Sequence, residues 1–174
     1  MRKRKLTYAV LGPLPHAIVY IAAPIALART GPHHGWKDGR PGPLNTAGVI
    51  SLGAGAAFVG AAIVAHYREA PEVSAASLVP NYLVRGGVYG ITRNPMYLGG
   101  ALMQSGWAVF FGSARVGAMC AAYVCGMNFA GIPFEERLLH RRFGDSYDAY
   151  RRQVPRWISG RFPALWGSGR PQSN

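Results

Sequence analysis

The sequence predicts an all-α fold, an integral membrane bundle of about four transmembrane helices followed by an amphipathic helical segment. Three observations support this prediction. Four apolar blocks contain no Asp, Glu, Lys or Arg apart from Arg115 at the start of the fourth, and each approaches the ~20 residues needed to cross a bilayer. Basic residues lie between and after the blocks and give the 174-residue chain a net charge of +12. The C-terminal part then shows apolar residues at helical spacings of three and four.

The first block, about 6–28, follows the basic stretch Met1–Lys5. A basic start before an apolar run is also typical of a signal peptide. This run is too long for one, however, it contains prolines, and further membrane-like blocks follow it. We therefore predict a first transmembrane helix that is kinked at its prolines, which are Pro13, Pro15 and Pro24.

The second block, about 46–67, follows a loop rich in Gly, Pro and His that covers residues 29–45. Small-xxx-small faces let two helices approach closely in lipid. The second transmembrane helix is therefore expected to pack through such pairs, and the same face permits self-association, so the sequence leaves the oligomeric state open. The pairs with this spacing are Gly53 with Ala57 and Ala56 with Gly60.

The third and fourth blocks, about 95–112 and 115–134, follow a polar connection that is broken by Pro and Gly. Only the short link Ser113–Arg115 separates their apolar residues. Two apolar helices joined by so short a link must form an antiparallel hairpin. The hairpin brings the residues before the third helix and those after the fourth to the same side of the membrane.

The distribution of basic residues tests the count of four spans. With the N-terminus in the cytoplasm and four spans, the cytoplasmic segments hold 15 of the 19 Lys and Arg residues. This asymmetry agrees with the positive-inside rule, whereas three or five spans would put one terminal basic cluster outside. Both termini are therefore predicted to be cytoplasmic.

Residues 135–153 form the predicted amphipathic segment. Its opposite faces are apolar and arginine-rich, the pattern of a helix that lies on a membrane surface. We expect Gly144 to interrupt it, Asp145 to cap the second piece and Pro155 to end it. The tail, 159–174, is expected to be disordered, and the whole chain, 1–174, to be one domain. The residues expected on the buried face are Leu138, Leu139, Phe143, Tyr147, Tyr150 and Val154.

Motifs and spacing exclude several classes of protein. No helix-turn-helix, zinc-finger or RNA-binding signature accompanies the basic charge, so the predicted partner is the lipid bilayer and not nucleic acid. Cys120 and Cys125 would lie about 140° apart on a helix, which argues against a disulfide. Packing inside the bundle is the expected role of both. No metal-ligand spacing occurs, and we predict no metal site.

Two segments break the rules of a simple membrane bundle: Arg93–Gly99 at the start of the third helix and Glu135–Glu136 directly after the fourth. The first offers a guanidinium, an amide and a phenol at a helix N-terminus, and the second offers two carboxylates. Together they can hold a zwitterion, with its carboxylate at the first segment and its ammonium at a glutamate. Taken singly, each has an ordinary alternative: Arg93 as an interfacial anchor, Tyr97 as an aromatic-belt residue, and the glutamates as partners of a helix dipole.

The combined pattern resembles a known family. Residues Gly86–Gly100 read Gly-Gly-Val-Tyr-Gly-Ile-Thr-Arg-Asn-Pro-Met-Tyr-Leu-Gly-Gly. Residues 135–158 read Glu-Glu-Arg-Leu-Leu-His-Arg-Arg-Phe-Gly-Asp-Ser-Tyr-Asp-Ala-Tyr, then Arg-Arg-Gln-Val-Pro-Arg-Trp-Ile. The stretch from about Val84 to Ile158 is similar to the isoprenylcysteine carboxyl methyltransferase family and its phospholipid methyltransferase relatives. The first half of the chain matches only as generic membrane helices.

The resemblance implies an S-adenosylmethionine-dependent methyltransferase that acts on a lipophilic, membrane-embedded substrate, through the carboxylate, thiol or amine of a prenylated or lipid-like molecule. Asn94 stands where the eukaryotic enzymes often have His, which resembles the bacterial branch and implies a bacterial inner (cytoplasmic) membrane. The residues that match the family's cofactor-binding segments are Arg93, Asn94, Pro95, Tyr97, Gly99, Glu135 and Glu136.

The sequence leaves several points open. The methyl acceptor and its methylated atom are not identified, and we name no catalytic base because a sulfonium is already a strong electrophile. Arg156 is a weaker prediction for binding an acidic substrate group, with a lipid headgroup contact as the alternative. Two other functions compete: a non-catalytic accessory protein for transport or assembly that keeps the scaffold, and a redox enzyme or isomerase. The latter has neither a haem-ligand pair nor a dinucleotide fingerprint in the sequence.

Overall fold

The computed structural model describes residues 17–31, 36–37, 40–69 and 82–158. Within these ranges the chain is helical apart from connecting turns and one short hairpin, which confirms the all-α class. The hairpin pairs β1, Trp36–Lys37, with β2, Arg40–Pro41, inside the segment expected to be a loop. The expected disorder of 159–174 and the beginning of the first block, 6–16, lie outside the described residues.

The described part contains six α-helices: α1 (Ala23–Ala28), α2 (Pro43–Glu69), α3 (Pro95–Phe111), α4 (Ala114–Gly126), α5 (Ile132–Phe143) and α6 (Asp145–Gln153). A π-helical turn, Ile18–Ala22, leads into α1, and a second, Met127–Gly131, joins α4 to α5 without a break. A 3₁₀ turn, Gly87–Gly90, precedes α3. Helix α4, the second π turn and α5 form one helix of 30 residues, so the chain stays helical past Phe134, the predicted end of the fourth span.

Two helices of the described part are long and apolar enough to cross a membrane: Pro43–Glu69, with 27 residues, and Ala114–Phe143, with 30 residues. Helix α3 has 17 residues. At ~1.5 Å per residue it spans about 25 Å, short of the ~30 Å of a hydrocarbon core. The described apolar helix Ile18–Ala28 is shorter still. These helices support a membrane protein, and the count of four spans stays a prediction.

Helices α2 and α3 pack antiparallel along a seam of facing glycines. A Cβ atom added to Gly55 would lie 2.6 Å from the carbonyl oxygen of Gly99, and one added to Gly48 would lie 2.8 Å from that of Gly106. Cβ atoms do not approach carbonyl oxygens so closely, so only glycine admits this contact between the two backbones. The seam places the first turns of α3 beside the middle of α2, where Gly99 faces Gly55 and Val59.

The small-residue pairs singled out in the sequence lie outside this seam. A Cβ atom added to Gly53 or Gly60 would meet nothing within 4 Å in the described part, and Ala56 and Ala57 are exposed. The seam uses another stripe of the same helix. Helix α2 carries small residues on several of its faces. The glycines of α3 determine which of these faces packs against it.

Helices α3 and α4 form the predicted antiparallel hairpin. Gly112 follows α3 with φ +57, in the left-handed region that glycine favours, and Ser113 Oγ accepts a backbone hydrogen bond at the start of α4. Further along, the Tyr123 hydroxyl lies 3.0 Å from the Tyr20 hydroxyl, and the Tyr20 ring and the Tyr123 hydroxyl stand beside Gly100, which has no side chain. The π turn before α1 therefore closes against both helices of the hairpin.

The two cysteines have different surroundings. Both are free, and Cys120 Sγ lies 3.3 Å from Ser105 Oγ at the contact of α3 and α4. Cys125, in contrast, is exposed. The expected packing inside the bundle is thus confirmed for Cys120 and wrong for Cys125, because the helix turns by about 140° between them.

Helices α5 and α6 pack on each other through the predicted apolar face. Gly144 interrupts the segment, with φ +49. The expected cap was wrong: Gly144 itself holds the N-cap position, without a side-chain hydrogen bond, and Asp145 is the first residue of α6. Helix α6 ends at Gln153, two residues before Pro155. The buried residues are Tyr147, Tyr150 and Val154, which pack against Leu83, Leu139 and Phe143.

Candidate active site

The two segments singled out in the sequence meet where α3 begins and α5 follows the second π turn. The Tyr97 hydroxyl donates a hydrogen bond of 2.8 Å to Glu135 Oε2, across 38 residues of chain. Arg93 Nη1 lies 2.9 Å from Glu136 Oε1. The hairpin of α3 and α4 produces both contacts, because it returns the chain to the level at which α3 starts.

Glu136 is bound by two arginines. Arg156 makes a bidentate contact with it through one edge of its guanidinium, Nη2 at 2.6 Å from Oε2 and Nε at 3.3 Å from Oε1. The side chains of Arg93, Glu136 and Arg156 are 12%, 18% and 34% exposed, so solvent screens these ion pairs only in part. Two guanidiniums and one carboxylate leave this cluster with one net positive charge.

Arg93 has a further partner and an unused donor. Its Nη1 also donates to the Tyr147 hydroxyl, at 3.1 Å. Its Nε is buried and has no hydrogen-bond partner in the part of the chain that the structure describes. A buried donor without an acceptor is costly. An anionic group of a ligand would satisfy this donor and balance the excess positive charge of the cluster.

Three tyrosines outside the spanning helices lie around this end of the bundle. Burial, followed by the negative charges of Glu135 and Glu69, raises the pKa of Tyr89 to about 12. Burial is also the main cause of the raised pKa of Tyr147 and of Tyr150. All three phenols are therefore neutral hydrogen-bonding groups near neutral pH.

Residues 155–157, here called the C-terminal strap, lie across the segment that precedes α3. The Arg93 amide donates to the Pro155 carbonyl at 3.0 Å. Thr92 Oγ1 and Asn94 Nδ2 both donate to the Arg156 carbonyl, at 3.0 and 2.9 Å. These three bonds hold the strap against the residues that begin the candidate site.

A fourth bond fastens the other end of the strap. The Trp157 indole Nε1 donates to Asn128 Oδ1 on the second π turn, at 3.2 Å. The backbone of Arg156 is thus held from both sides. Its guanidinium is thereby directed to Glu136, which explains how a residue near the end of the described chain joins the site.

Four of the predicted cofactor-binding residues converge: Arg93, Tyr97, Glu135 and Glu136. The other three make structural contacts. The Asn94 side chain binds the strap, Pro95 is buried at the first position of α3, and Gly99 lies in the glycine seam. Arg156, predicted as a weaker substrate contact, joins the cluster through Glu136.

Three further residues with polar contacts or unpaired polar groups were not predicted from the sequence. Tyr147 was assigned to an apolar face, but its hydroxyl also contacts Arg93. The strap residue Trp157 gave no local signal, because its partner lies in a distant segment. Gln104 is 1% exposed in the middle of α3. A lone amide in an otherwise apolar helix was the signal that could have identified it.

The fold and the site define a helical membrane protein with a charged site at one end of its bundle. Within the described ranges, no group of three His, Cys, Asp or Glu side chains could hold a metal ion. A model of the phospholipid methyltransferase family matches residues 50–146, more than half of the chain. The chain belongs to this family. No curated protein and no solved structure matches it significantly.

The matched residues run from α2 to the start of α6, so they include Tyr97 and both glutamates. Membership of the family supports methyltransferase activity on lipid-like substrates in a bilayer. It also points to S-adenosylmethionine, the usual methyl donor of such enzymes.

Proposed function

We propose that the protein uses S-adenosylmethionine to methylate a lipophilic substrate embedded in the membrane. The observation that carries the proposal is the meeting of the Arg93–Glu136–Arg156 cluster with the Tyr97–Glu135 pair at the start of α3. Family membership supplies the reaction class. The motif resemblance supports the isoprenylcysteine carboxyl methyltransferase type, in its bacterial branch, and the distribution of basic residues supports four spans with cytoplasmic termini.

The chain's residues fit the two charges of the amino-acid part of S-adenosylmethionine. The arginine cluster has one excess positive charge, and Arg93 Nε is a buried donor without a partner among the described residues. A carboxylate is therefore the group that this cluster would hold. Glu135 uses one oxygen for Tyr97, and its negative charge would hold an ammonium. A phenol ring beside it can lie against a sulfonium.

Bound S-adenosylmethionine would supply a methyl group that is already attached to a cationic sulfur. The protein's contribution is then to hold the two reactants in line and to exclude water. Arg93 and Glu135 would orient the cofactor, and the strap and Tyr147 cover the arginine cluster. An acceptor that is already a carboxylate or thiolate needs no base, and we assign no catalytic base.

Calorimetric titration of S-adenosylmethionine into the protein in detergent tests this proposal. Glu135→Gln keeps an acceptor for the Tyr97 hydroxyl and removes only the charge, so the dissociation constant should rise by about 10- to 100-fold. Asp145→Asn, at an exposed position, is the matched control and should bind as the wild type does. Glu136→Ala is a poorer probe, because it leaves two guanidiniums without their counter-charge.

Equal affinity of wild type and a well-folded Glu135→Gln variant would overturn the assignment of the ammonium site. Absence of binding by folded wild-type protein would instead favour the competing function, a non-catalytic accessory protein that keeps the methyltransferase scaffold.

A further inference from the structure

The middle of α3 holds a polar group that the proposed cofactor site does not use. Gln104 is 1% exposed, and neither Oε1 nor Nε2 of its carboxamide has a hydrogen-bond partner in the described part of the chain. In a membrane bundle an amide normally bonds to a neighbouring helix, because lipid offers no alternative partner. A buried carboxamide with both ends unpaired therefore points to a ligand.

Contacts on either side of Gln104 show what surrounds it. One turn before it, the Tyr20 ring and the Tyr123 hydroxyl stand beside Gly100. One turn after it, the Trp107 indole Nε1 donates to the Tyr20 carbonyl at 2.8 Å. Positions 100, 104 and 107 share one face of α3. Tyr20 thus passes over this face at the level of Gln104, which lies at the junction of the first π turn, α3 and α4.

The same face leads to the candidate active site. Tyr97 precedes Gln104 by two helical turns, so the two positions lie on one face about 10 Å apart along the axis. Gly100 lies between them, and the hydrogen-bonded hydroxyls of Tyr20 and Tyr123 stand there. Polar groups therefore follow one another along α3 from the phenol that binds Glu135 to the buried carboxamide.

We propose that Gln104 binds a neutral hydroxyl group, an alcohol or a phenol, of a lipophilic ligand. A carboxamide presents a donor and an acceptor side by side, and a hydroxyl, which both donates and accepts, satisfies the two together. The first π turn and α3 contain no Asp, Glu, Lys or Arg, and α4 contains only Arg115, at its start. A charged group would lose its hydration there without gaining a counter-charge, which selects a neutral ligand.

In the context of methyl transfer, this site recognises a second polar group of the acceptor, about two helical turns from the cofactor residues. That role rests on the proposed function. The binding of a hydroxyl group by Gln104 does not, and it is measurable on protein that has no bound cofactor.

Thermal unfolding in detergent tests the site, with 4-octylphenol as the probe and octylbenzene as the matched compound without a hydroxyl. A ligand that binds only the folded state raises the Tm. We expect 4-octylphenol to raise the Tm of the wild type more than octylbenzene does. Gln104→Met, an unbranched apolar replacement, should abolish this difference. Without probe it should raise the Tm by about 2–4 °C, because it removes two unsatisfied buried polar atoms.

Ser105→Ala is the control, since it removes a neighbouring hydroxyl whose partner is Cys120 and should leave the preference for the phenol intact. Gln104→Leu replaces Gln104→Met if the latter fails to fold. Equal shifts by both compounds in the wild type, or a clearly lower Tm of both Gln104 variants, would overturn the proposal. S-adenosylmethionine binding, measured on the same samples, separates the two proposals: its absence together with a retained preference for the phenol supports the hydroxyl site and not the methyltransferase function.

Discussion

Arg93 Nη1 and Glu136 Oε1 lie 2.9 Å apart, and this ion pair ties the segment before α3 to α5. The same carboxylate binds Arg156, so it joins three separate parts of the chain. Because the proposed cofactor site uses these groups, a variant of Glu136 changes the stability of the protein as well as its affinity for a ligand. The two effects are separable only when unfolding is measured beside binding.

Glu136→Ala should lower the free energy of unfolding by about 2–4 kcal/mol, because it leaves two partly buried guanidiniums without a counter-charge. Arg151→Ala breaks a pair whose arginine is 54% exposed and should cost less than about 1 kcal/mol. Denaturant unfolding in detergent compares the two variants. A similar, small loss in both would show that water screens the Glu136 cluster fully.

The glycine seam gives a matched pair of substitutions. Gly55→Ala places a methyl group 2.6 Å from the Gly99 carbonyl oxygen, so the helices must move apart, and we expect a loss of about 1–3 kcal/mol. Gly53→Ala, half a turn away, meets nothing within 4 Å and should be neutral, or stabilising by up to about 1 kcal/mol through helix propensity. Thermal unfolding in one detergent checks both variants, and equal effects would contradict the observed seam.

Asn94→Ala should loosen the strap. The variant removes the bond from Nδ2 to the Arg156 carbonyl, which costs about 1–2 kcal/mol of local stability. The Arg93 amide, which donates to the Pro155 carbonyl, should then exchange its hydrogen about tenfold faster. Hydrogen exchange followed by mass spectrometry reports this change. Ser51→Ala loses a similar bond, to the Leu102 carbonyl, and should leave exchange at Arg93 unaltered.

Stability should fall in alkali because of Tyr89. In the unfolded chain its phenol loses its proton near pH 10, and in the folded protein its pKa is raised to about 12. Between these values the folded state binds more protons than the unfolded state, so the free energy of unfolding decreases as pH rises from about 10 to about 12. Below pH 10 there is no effect.

The raised pKa values of Tyr147 and Tyr150 act in the same direction. Tyr89→Phe should therefore remove part of the alkaline loss. The free energy of unfolding of the wild type and of the variant is measured from pH 10 to 12, and the ultraviolet absorbance of phenolate follows the ionisation of the tyrosines. An equal loss of stability in both proteins would contradict this role of Tyr89.

Local patterns were sufficient to predict the all-α class and the meeting of Arg93 with Glu136. The short link Ser113–Arg115 forces a hairpin, and a hairpin brings Arg93 and Glu136 to one end of the bundle whatever its detailed packing. The end of the spanning helix was not predictable in the same way. Charges after Phe134 mark the place where the environment changes, but they do not interrupt a backbone that can continue as a helix.

Contacts between segments that are distant in the chain could not be predicted from the sequence. Gly53 and Gly55 have the same local composition around them, and only the facing Gly99 distinguishes them. The second arginine on Glu136 depends on where the strap runs, and the strap is positioned by Asn128 and Asn94. The sequence therefore predicted that the arginine and glutamate segments lie close together. It could not predict which arginines form ion pairs with which glutamate.

The second π turn determines the rotational phase of α5. In an uninterrupted α-helix Tyr123 and Glu135, twelve residues apart, would point about 120° away from each other. A π turn accommodates one extra residue and so reduces the angle between the two side chains by about 100°, to about 20°. Both side chains therefore reach α3, the first at Gly100 and the second at Tyr97. The same residues wound as an uninterrupted α-helix would keep every acidic and aromatic group in the chain, and yet the two carboxylates would turn away from their phenol and arginines.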